Sequence, residues 1–204
     1  MVKKLIDETT EQRILIAAKK IFLSKGLDGA RMQDIADEAG INKAMLHYYF
    51  RSKDKLFETI FEDIALHFMP RITEIFESDQ TLFQKIETFC CTYIEQVKET
   101  PYLPVFVLNE ASKRPAALMK KMFGNKKPPV HIFFQEVQKE IAAGTIKPIQ
   151  PVQLFLNMLS MCVFPFVAKP MLEHAAGINK KQFDALIEER KKMIPEFIIA
   201  SIKK

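Results

Sequence analysis

A short segment of the chain concentrates side chains that can bind a polyanion. Four basic residues stand against the single Asp54, which gives a local net charge of +3 within thirteen residues: Lys43, Arg51, Lys53 and Lys55. Lysine and arginine bind phosphate oxygens through charge and hydrogen bonds. The overall net charge of +5 does not explain this segment, because residues 1 to 70 contain equal numbers of basic and acidic residues. Any phosphate-binding surface is therefore predicted to be a local stripe.

Catalytic and metal-binding patterns are not found in the sequence. The four histidines, His47, His67, His131 and His174, share no ligand spacing, and there is no glycine-rich phosphate loop or nucleophile motif. Cys90 and Cys91 are adjacent and Cys162 stands alone, so we expect buried thiols, with redox sensing as the alternative. We therefore expect neither an enzyme nor a bound cofactor or metal.

The elements that must position the basic stripe are short helices. Apolar residues at helical spacing predict a first helix over residues 10 to 24, with Thr9 and Gln12 forming a capping box. A second helix ends at Gly40, and Asn42 is a typical N-cap for a third helix over residues 43 to 50. Ser52 is expected to cap a fourth helix, which should end near residue 69 because Pro70 follows.

Two short helices joined by a glycine-containing turn are typical of a helix-turn-helix, here at about residues 31 to 50. This spacing alone leaves two alternatives open, a DNA-binding motif and a purely structural helical hairpin.

The remaining sequence predicts only helices, over about residues 80–99, 102–112, 115–123, 128–143, 150–168 and 179–202, with prolines and glycines at the breaks. We predict an all-α fold with an N-terminal domain over residues 1–69 and a larger helical domain over residues 70–204. Residues 152 to 168 carry no charge, but the stretch is short for a membrane span and contains Gln153, Asn157 and Pro165. Burial between subunits is the preferred interpretation, and no membrane association is expected.

Two stretches of the sequence, TEQRILIAAKKIFLSKG and QDIADEAGINKAMLHYYFRSKDKLF, resemble the N-terminal domain of the tetracycline repressor (TetR) family over about residues 9 to 60. The resemblance implies a three-helix DNA-binding domain, followed by a C-terminal domain that binds a ligand and forms a homodimer. We expect the two C-terminal helices to make the dimer interface. The partners implied are a double-stranded DNA operator and a small ligand.

The family pattern assigns roles to individual residues of the helix-turn-helix and of the start of the fourth helix. Four residues are expected to set sequence preference: Lys43 contacts a base or a phosphate, Ala44 allows close approach, Met45 touches a thymine methyl and Gln33 reaches a base edge. Backbone contacts are expected from Tyr48, Tyr49 and Lys53. Arg31 and His47 depart from the residues that the family often has at these positions. Arg31 is interpreted as a phosphate contact, and His47 motivates the hypothesis of pH-dependent DNA affinity.

The second domain is rich in side chains that suit an apolar ligand, with 14 of the 17 phenylalanines and seven of the ten methionines after residue 60. The predicted ligand-binding residues are Phe89, Tyr93, Phe106, Glu110, Met119, Phe123, His131, Phe134, Met158 and Met161. Core packing is the alternative for each apolar residue of this set.

We therefore expect a cytoplasmic transcriptional regulator, a repressor released from its operator by a small, largely apolar ligand. The sequence leaves one alternative, a ligand-binding or scaffolding helical protein without specific DNA binding. The polar N-terminal segment shows no secretion signal, which favours the cytoplasm.

Overall fold

The computed structural model describes residues 9–124 and 129–204. Within these residues the chain forms helices and no strand, apart from an isolated antiparallel bridge between Ile146 and Lys203. The helices are α1 (Thr10–Gly29), α2 (Met32–Glu38), α3 (Lys43–Tyr49), α4 (Lys53–Glu77), α5 (Leu82–Glu99), α6 (Leu103–Lys113), α7 (Pro115–Phe123), α8 (Val130–Ala142), α9 (Pro151–Val167), α10 (Lys169–Ala175) and α11 (Lys180–Ile202). The predicted all-α fold is confirmed.

The chain divides into two compact units, and the division falls between Ala65 and Leu66, inside α4. The first unit has a small core in which the rings of Phe22 and Phe57 meet edge to face at 5.2 Å. Residues from all four of its helices are buried in this unit, including Ile14, Ile35, Leu46 and Leu56. The predicted division at residues 69 and 70 lies a few residues further along the same helix.

Side-chain caps start the helices of the first unit where the sequence predicts them. The Thr9 hydroxyl accepts from the Gln12 amide, and the Gln12 side chain accepts from the Thr9 amide, which completes the capping box. The Ser52 hydroxyl accepts a hydrogen bond from the Lys55 amide at the start of α4. The predicted end of the first helix at residue 24 is close to Gly26, whose φ of 70° interrupts the helical path before a last turn.

The predicted end of the fourth helix near residue 69 is wrong, because α4 continues through Pro70 to Glu77. Proline removes the hydrogen bond to the carbonyl four residues earlier, here that of Leu66. Leu66 and Pro70 are both exposed, so water can solvate this carbonyl. The opposite face of the helix, with Phe68 and Phe76, is buried in the core of the second unit, and this burial offsets the cost of the proline.

The core of the second unit is built around aromatic rings. Phe76 lies 5.5 Å from Phe89 and 5.3 Å from Phe133 between ring centroids, and Phe155 packs against the same group. The ends of the predicted helices agree with the observed ones to within a few residues. The short helix α10 was missed because Pro170 predicts a break, whereas proline is well tolerated in the first turn of a helix.

Two further prolines, Pro165 and Pro195, lie inside helices of the second unit, and the carbonyl that each leaves without its helical donor is bonded by a neighbouring helix. Pro165 frees the Met161 carbonyl of α9, which accepts from Arg190 Nη2 at 2.8 Å. Pro195 frees the Lys191 carbonyl of α11, which accepts from the Cys91 thiol at 3.6 Å. These contacts connect α5, α9 and α11 at the positions where helix hydrogen bonds are lost.

The cysteines behave as the sequence predicts for buried thiols. Cys90 and Cys162 are almost completely buried, and Cys91 is half-buried. The contact with Cys162 and the burial raise the pKa of the Cys90 thiol, and burial also raises that of Cys91. A protonated Cys91 is the form that can donate to the Lys191 carbonyl.

An ion pair between Lys85 and Glu136 lies next to the last turn of α4. The Lys85 ammonium, only 5% exposed, donates to the Phe76 carbonyl at 3.0 Å and to the Glu136 carboxylate at 2.6 Å. Lys85 therefore satisfies a carbonyl in the last turn of α4 and connects it to α8, and each charge of the pair is compensated.

Candidate DNA-binding surface and ligand groove

The turn between α2 and α3 is built by backbone hydrogen bonds around one glycine. Gly40 has a φ of 66°, a conformation that side-chain-bearing residues rarely adopt. The Ile41 amide donates to the Ala36 carbonyl at 3.0 Å, and the Asn42 side chain accepts from the Met45 amide at 2.7 Å. The turn and the cap together fix where α3 begins.

One face of α3 is buried and the other is open. Leu46 is fully buried and Phe50, just after the helix, is 6% exposed, so these residues anchor α3 to the first unit. The six predicted DNA-contacting residues of this helix are exposed: Lys43, Ala44, Met45, His47, Tyr48 and Tyr49. The structure therefore brings them together on one surface, which we call the recognition face.

The recognition face holds large aromatic side chains in water. Tyr48 is 84% exposed, and its ring meets that of Tyr49 edge to face at 5.5 Å. Both hydroxyls belong to exposed residues and can donate to an external acceptor. Two exposed aromatic rings contribute little to the stability of the unit, because they are not buried in its core. Such a pair is typical of a surface that contacts a partner.

The hydrogen bond of His47 fixes the tautomer of its neutral ring. The Nδ1 atom lies 3.3 Å from the Arg51 carbonyl oxygen, which can only accept, so Nδ1 carries the proton. In the neutral ring Nε2 is then an acceptor.

Lys53, predicted to bind the DNA backbone, has a different role in the structure. Its ammonium donates to the carbonyls of Leu27, Asp28 and Ala30, at 2.8, 3.4 and 3.2 Å. These bonds occupy all three donors of the ammonium and satisfy carbonyls at the end of α1. Lys53 therefore links the start of α4 to the end of α1.

Several other charges of the first unit are paired. Lys25 binds Asp34 at 2.9 Å, and this contact, together with the Arg31 amide, lowers the pKa of Asp34 despite partial desolvation. Lys55 of the basic stripe pairs with Glu58 at 2.7 Å. Lys43 and Arg51 are exposed and take part in none of the ion pairs of the described residues.

Besides Lys53, two predicted contacts lie outside α3, on or beside α2. Gln33 is exposed, and its amide donates to the Asp37 carboxylate at 2.7 Å. Arg31, also exposed, precedes α2, and its backbone amide donates to Asp34. Gln33 must give up its bond to Asp37, or share it, to reach a base edge.

The second unit contains an apolar groove with a volume of about 310 Å³. It lies between α5, α6 and α9, and Phe68 of α4 closes one side. Its lining consists of Phe68, Tyr93, Gln96, Val97, Leu103, Pro104, Val107, Leu108, Leu156, Leu159, Ser160, Val163, Phe164 and Val167. We call it the α6–α9 groove.

Of the ten predicted ligand-binding residues, only Tyr93 lines this groove. Phe89 and Met158 are buried in the core, and Phe134 packs on Phe133 and Phe155. The structure places the others outside the lining: Phe106, Glu110, Met119, Phe123, His131 and Met161. Phenylalanine and methionine content therefore did not identify the groove, which is lined mostly by aliphatic residues.

A signal for the groove was present in the sequence. Six lining residues come from the uncharged stretch that forms α9, and four come from α6. Hydropathy identified this stretch, but its pairing with α6 depends on the packing of the second unit.

Within residues 9–124 and 129–204, no single helix is long and apolar enough to cross a membrane, although the bent pair α9 and α10 together has the length and composition of a membrane span. The same residues contain no cluster of three His, Cys, Asp or Glu side chains suited to a metal ion.

Comparison with known proteins identifies a protein family that the first unit resembles. Residues 14–60 match the family described as bacterial regulatory proteins, tetR family. Over 61 residues the chain is 41% identical to the HTH-type transcriptional repressor NicS of Pseudomonas putida, a match covering 30% of this chain and 29% of NicS. The chain thus spans less than a third of that relative.

Longer matches extend through the second unit at lower identity. The HTH-type transcriptional regulator RutR of Escherichia coli is 23% identical over 191 residues, which cover 92% of this chain and 90% of RutR. The crystal structure of the regulator FadR from Bacillus subtilis with stearoyl-CoA superposes with a TM-score of 0.62 at 17% identity, over 93% of this chain and 97% of that one. This structural likeness shows a shared fold. The tetR-family match of residues 14–60 confirms the resemblance predicted from the sequence of the first unit.

Proposed function

We propose that the protein is a DNA-binding transcriptional regulator that inserts α3 into the major groove. The observation that carries this proposal is the division of α3 into a face anchored by the buried Leu46 and a recognition face whose six residues are all exposed. A helix fits the major groove, where base edges present a distinct donor and acceptor pattern.

The residues of the recognition face divide into two groups by chemistry. Lys43, Ala44 and Met45 are in the first turn of α3, which penetrates the groove most deeply in helix-turn-helix proteins. The tyrosine hydroxyls and the unpaired Arg51 suit phosphate oxygens, so they position the helix without specifying sequence. Lys53 is a structural link in this assignment, and the backbone amides at the start of α4 are a further candidate phosphate contact.

We further propose that the protein acts as a homodimer through α9 and α11. Large apolar side chains remain exposed on these helices, among them Phe164 at 60%, Met193 at 44% and Phe197 at 62%. Two helices from each subunit can bury such side chains in a four-helix interface. A dimer then presents two recognition faces to successive turns of an operator.

The regulatory step we propose is release from the operator when a small molecule binds the second unit. Because α4 begins in the core of the first unit and ends in that of the second, a ligand that favours one position of α4 changes the equilibrium between two states. We propose that the protein acts in the cytoplasm, and we assign it no enzymatic activity.

Fluorescence anisotropy with DNA from upstream of the protein's own gene tests the DNA-binding role. The intact protein should bind this duplex at least about a hundredfold more tightly than a shuffled duplex at physiological salt. Tyr48→Ala should weaken binding about tenfold with little effect on stability, because the side chain is 84% exposed.

The matched control is Lys139→Ala on α8, which removes an exposed side chain of the second unit. It should leave affinity within twofold of the parent protein. Equal affinity for both duplexes contradicts sequence-specific regulation and favours a ligand-binding or scaffolding protein.

A further inference from the structure

The α6–α9 groove differs from an ordinary surface cleft in its complete lack of charge. None of its fourteen lining side chains is acidic or basic, and the polar side chains among them are Tyr93, Gln96 and Ser160. Its volume is at the low end of the roughly 300–1,000 Å³ range of small-molecule pockets. Leu108, more than half exposed at the rim, leaves a route from solvent.

From this lining we infer that the groove binds a neutral, mostly apolar small molecule that carries one hydrogen-bond acceptor for Tyr93. The inference rests on the proposed regulatory function and specifies the ligand class for it. A carboxylate or phosphate placed here would lose hydration without gaining a cationic partner, which costs several kcal/mol for a buried ion.

Tyr93 is the polar group best positioned to orient such a ligand. Its ring packs against Phe68 at 5.4 Å and Phe89 at 5.5 Å between centroids, so the side chain is held in place. Burial raises the pKa of Tyr93, which keeps the hydroxyl protonated and able to donate. The hydrogen bonds within the described residues do not use this hydroxyl, whereas the Ser160 hydroxyl already donates to the Asn157 carbonyl.

A small molecule fits these observations better than a helix from a second copy. A packing helix would cover the aliphatic rim and the Tyr93 hydroxyl, but the carbonyls within a helix are already paired, so its backbone would supply no acceptor to this donor. A small ligand with a carbonyl or ether oxygen satisfies both the apolar walls and the hydroxyl.

Displacement of a fluorescent probe from the full-length protein tests the ligand class. N-phenyl-1-naphthylamine, a neutral probe, should bind with one site per chain. Of two competitors with equal carbon chains, 2-undecanone should displace it at a concentration at least about tenfold lower than undecanoate at pH 8. Equal displacement by the ketone and the carboxylate overturns the inference.

Variants locate the site. Val163→Trp fills the groove and should abolish probe binding, whereas Val152→Trp makes the same change on α9 outside the lining and should not. Tyr93→Phe keeps the ring and should weaken 2-undecanone about fivefold, while leaving the neutral probe within twofold. Probe binding that survives Val163→Trp, or 2-undecanone binding unaffected by Tyr93→Phe, contradicts the assignment.

Two further readouts separate the alternatives. If the probe binds only when dilution dissociates the dimer, a second copy occupies the groove and the inference is wrong. DNA affinity is measured in the same samples without ligand. Specific DNA binding without binding of the neutral probe overturns only the ligand inference, whereas probe binding without specific DNA binding overturns only the proposed function.

Discussion

The recognition face of α3 and the α6–α9 groove are both left open by the fold, and they are built from opposite kinds of side chain. The recognition face presents Lys43, His47 and Tyr48 to water around one buried anchor. The groove is recessed and uncharged, with Tyr93, Gln96 and Ser160 as the polar side chains of its lining. A charged, convex helix attracts a polyanion over a long range. An apolar recess binds an apolar ligand because both surfaces release water when they meet. The polarity of each surface thus selects a different class of partner.

The largest effect expected from a single change is loss of the anchor that holds the recognition face. Leu46→Ala removes a fully buried side chain and should lower the free energy of unfolding of the first unit by about 2–5 kcal/mol. Urea unfolding followed by circular dichroism measures this change. DNA binding should be lost while probe binding in the groove persists, and simultaneous loss of both would show that the two surfaces are not independent.

Two lysine substitutions distinguish a residue that contacts DNA from a residue that stabilises the fold of the first unit. Lys53→Met should cost about 1–2 kcal/mol of stability, because three carbonyls at the end of α1 lose their donor. Lys43→Met should leave stability unchanged within about 0.5 kcal/mol and reduce the salt dependence of DNA binding by about one unit. The reverse pattern would restore the phosphate-contact role for Lys53.

Loss of the His47 side chain should affect the recognition face and leave the uncharged groove unaffected. His47→Ala removes an exposed side chain of α3, so DNA affinity should fall by a few fold with little change in stability. Fluorescence anisotropy and probe displacement on the same samples measure the two effects. An unchanged DNA affinity would rule out a DNA-contacting role of His47.

The smallest effect is expected in the helix framework behind the groove. Cys91→Ala removes the donor to the Lys191 carbonyl and should cost about 0.5–1 kcal/mol, measured as a shift in the urea midpoint. Because burial raises the pKa of Cys91, little thiolate is present at pH 8, and alkylation of the folded protein should be slow and should accelerate above that pH. Rapid alkylation at pH 7 would show an exposed, reactive thiol.

Local rules predicted the first unit in detail. The caps at Thr9, Asn42 and Ser52, the turn glycine and the buried Leu46 each depend on residues within about four positions of one another. Such signals are complete in the sequence, so helix starts and the exposed face of α3 followed directly. Pro70 was misjudged because its cost depends on whether the face carrying it is exposed and on what the opposite face buries.

The sequence by itself determined the helical class and the helix-turn-helix, because helical periodicity and capping are short-range properties. The resemblance to the tetR family supplied the residues of the recognition face. Only the tertiary structure decided the roles of Lys53, Arg190 and Cys91, since each bonds a carbonyl distant in sequence. The α6–α9 groove was also apparent only in the tertiary structure. A recess depends on how α5, α6 and α9 pack side by side, and long-range packing leaves no periodic trace in one sequence.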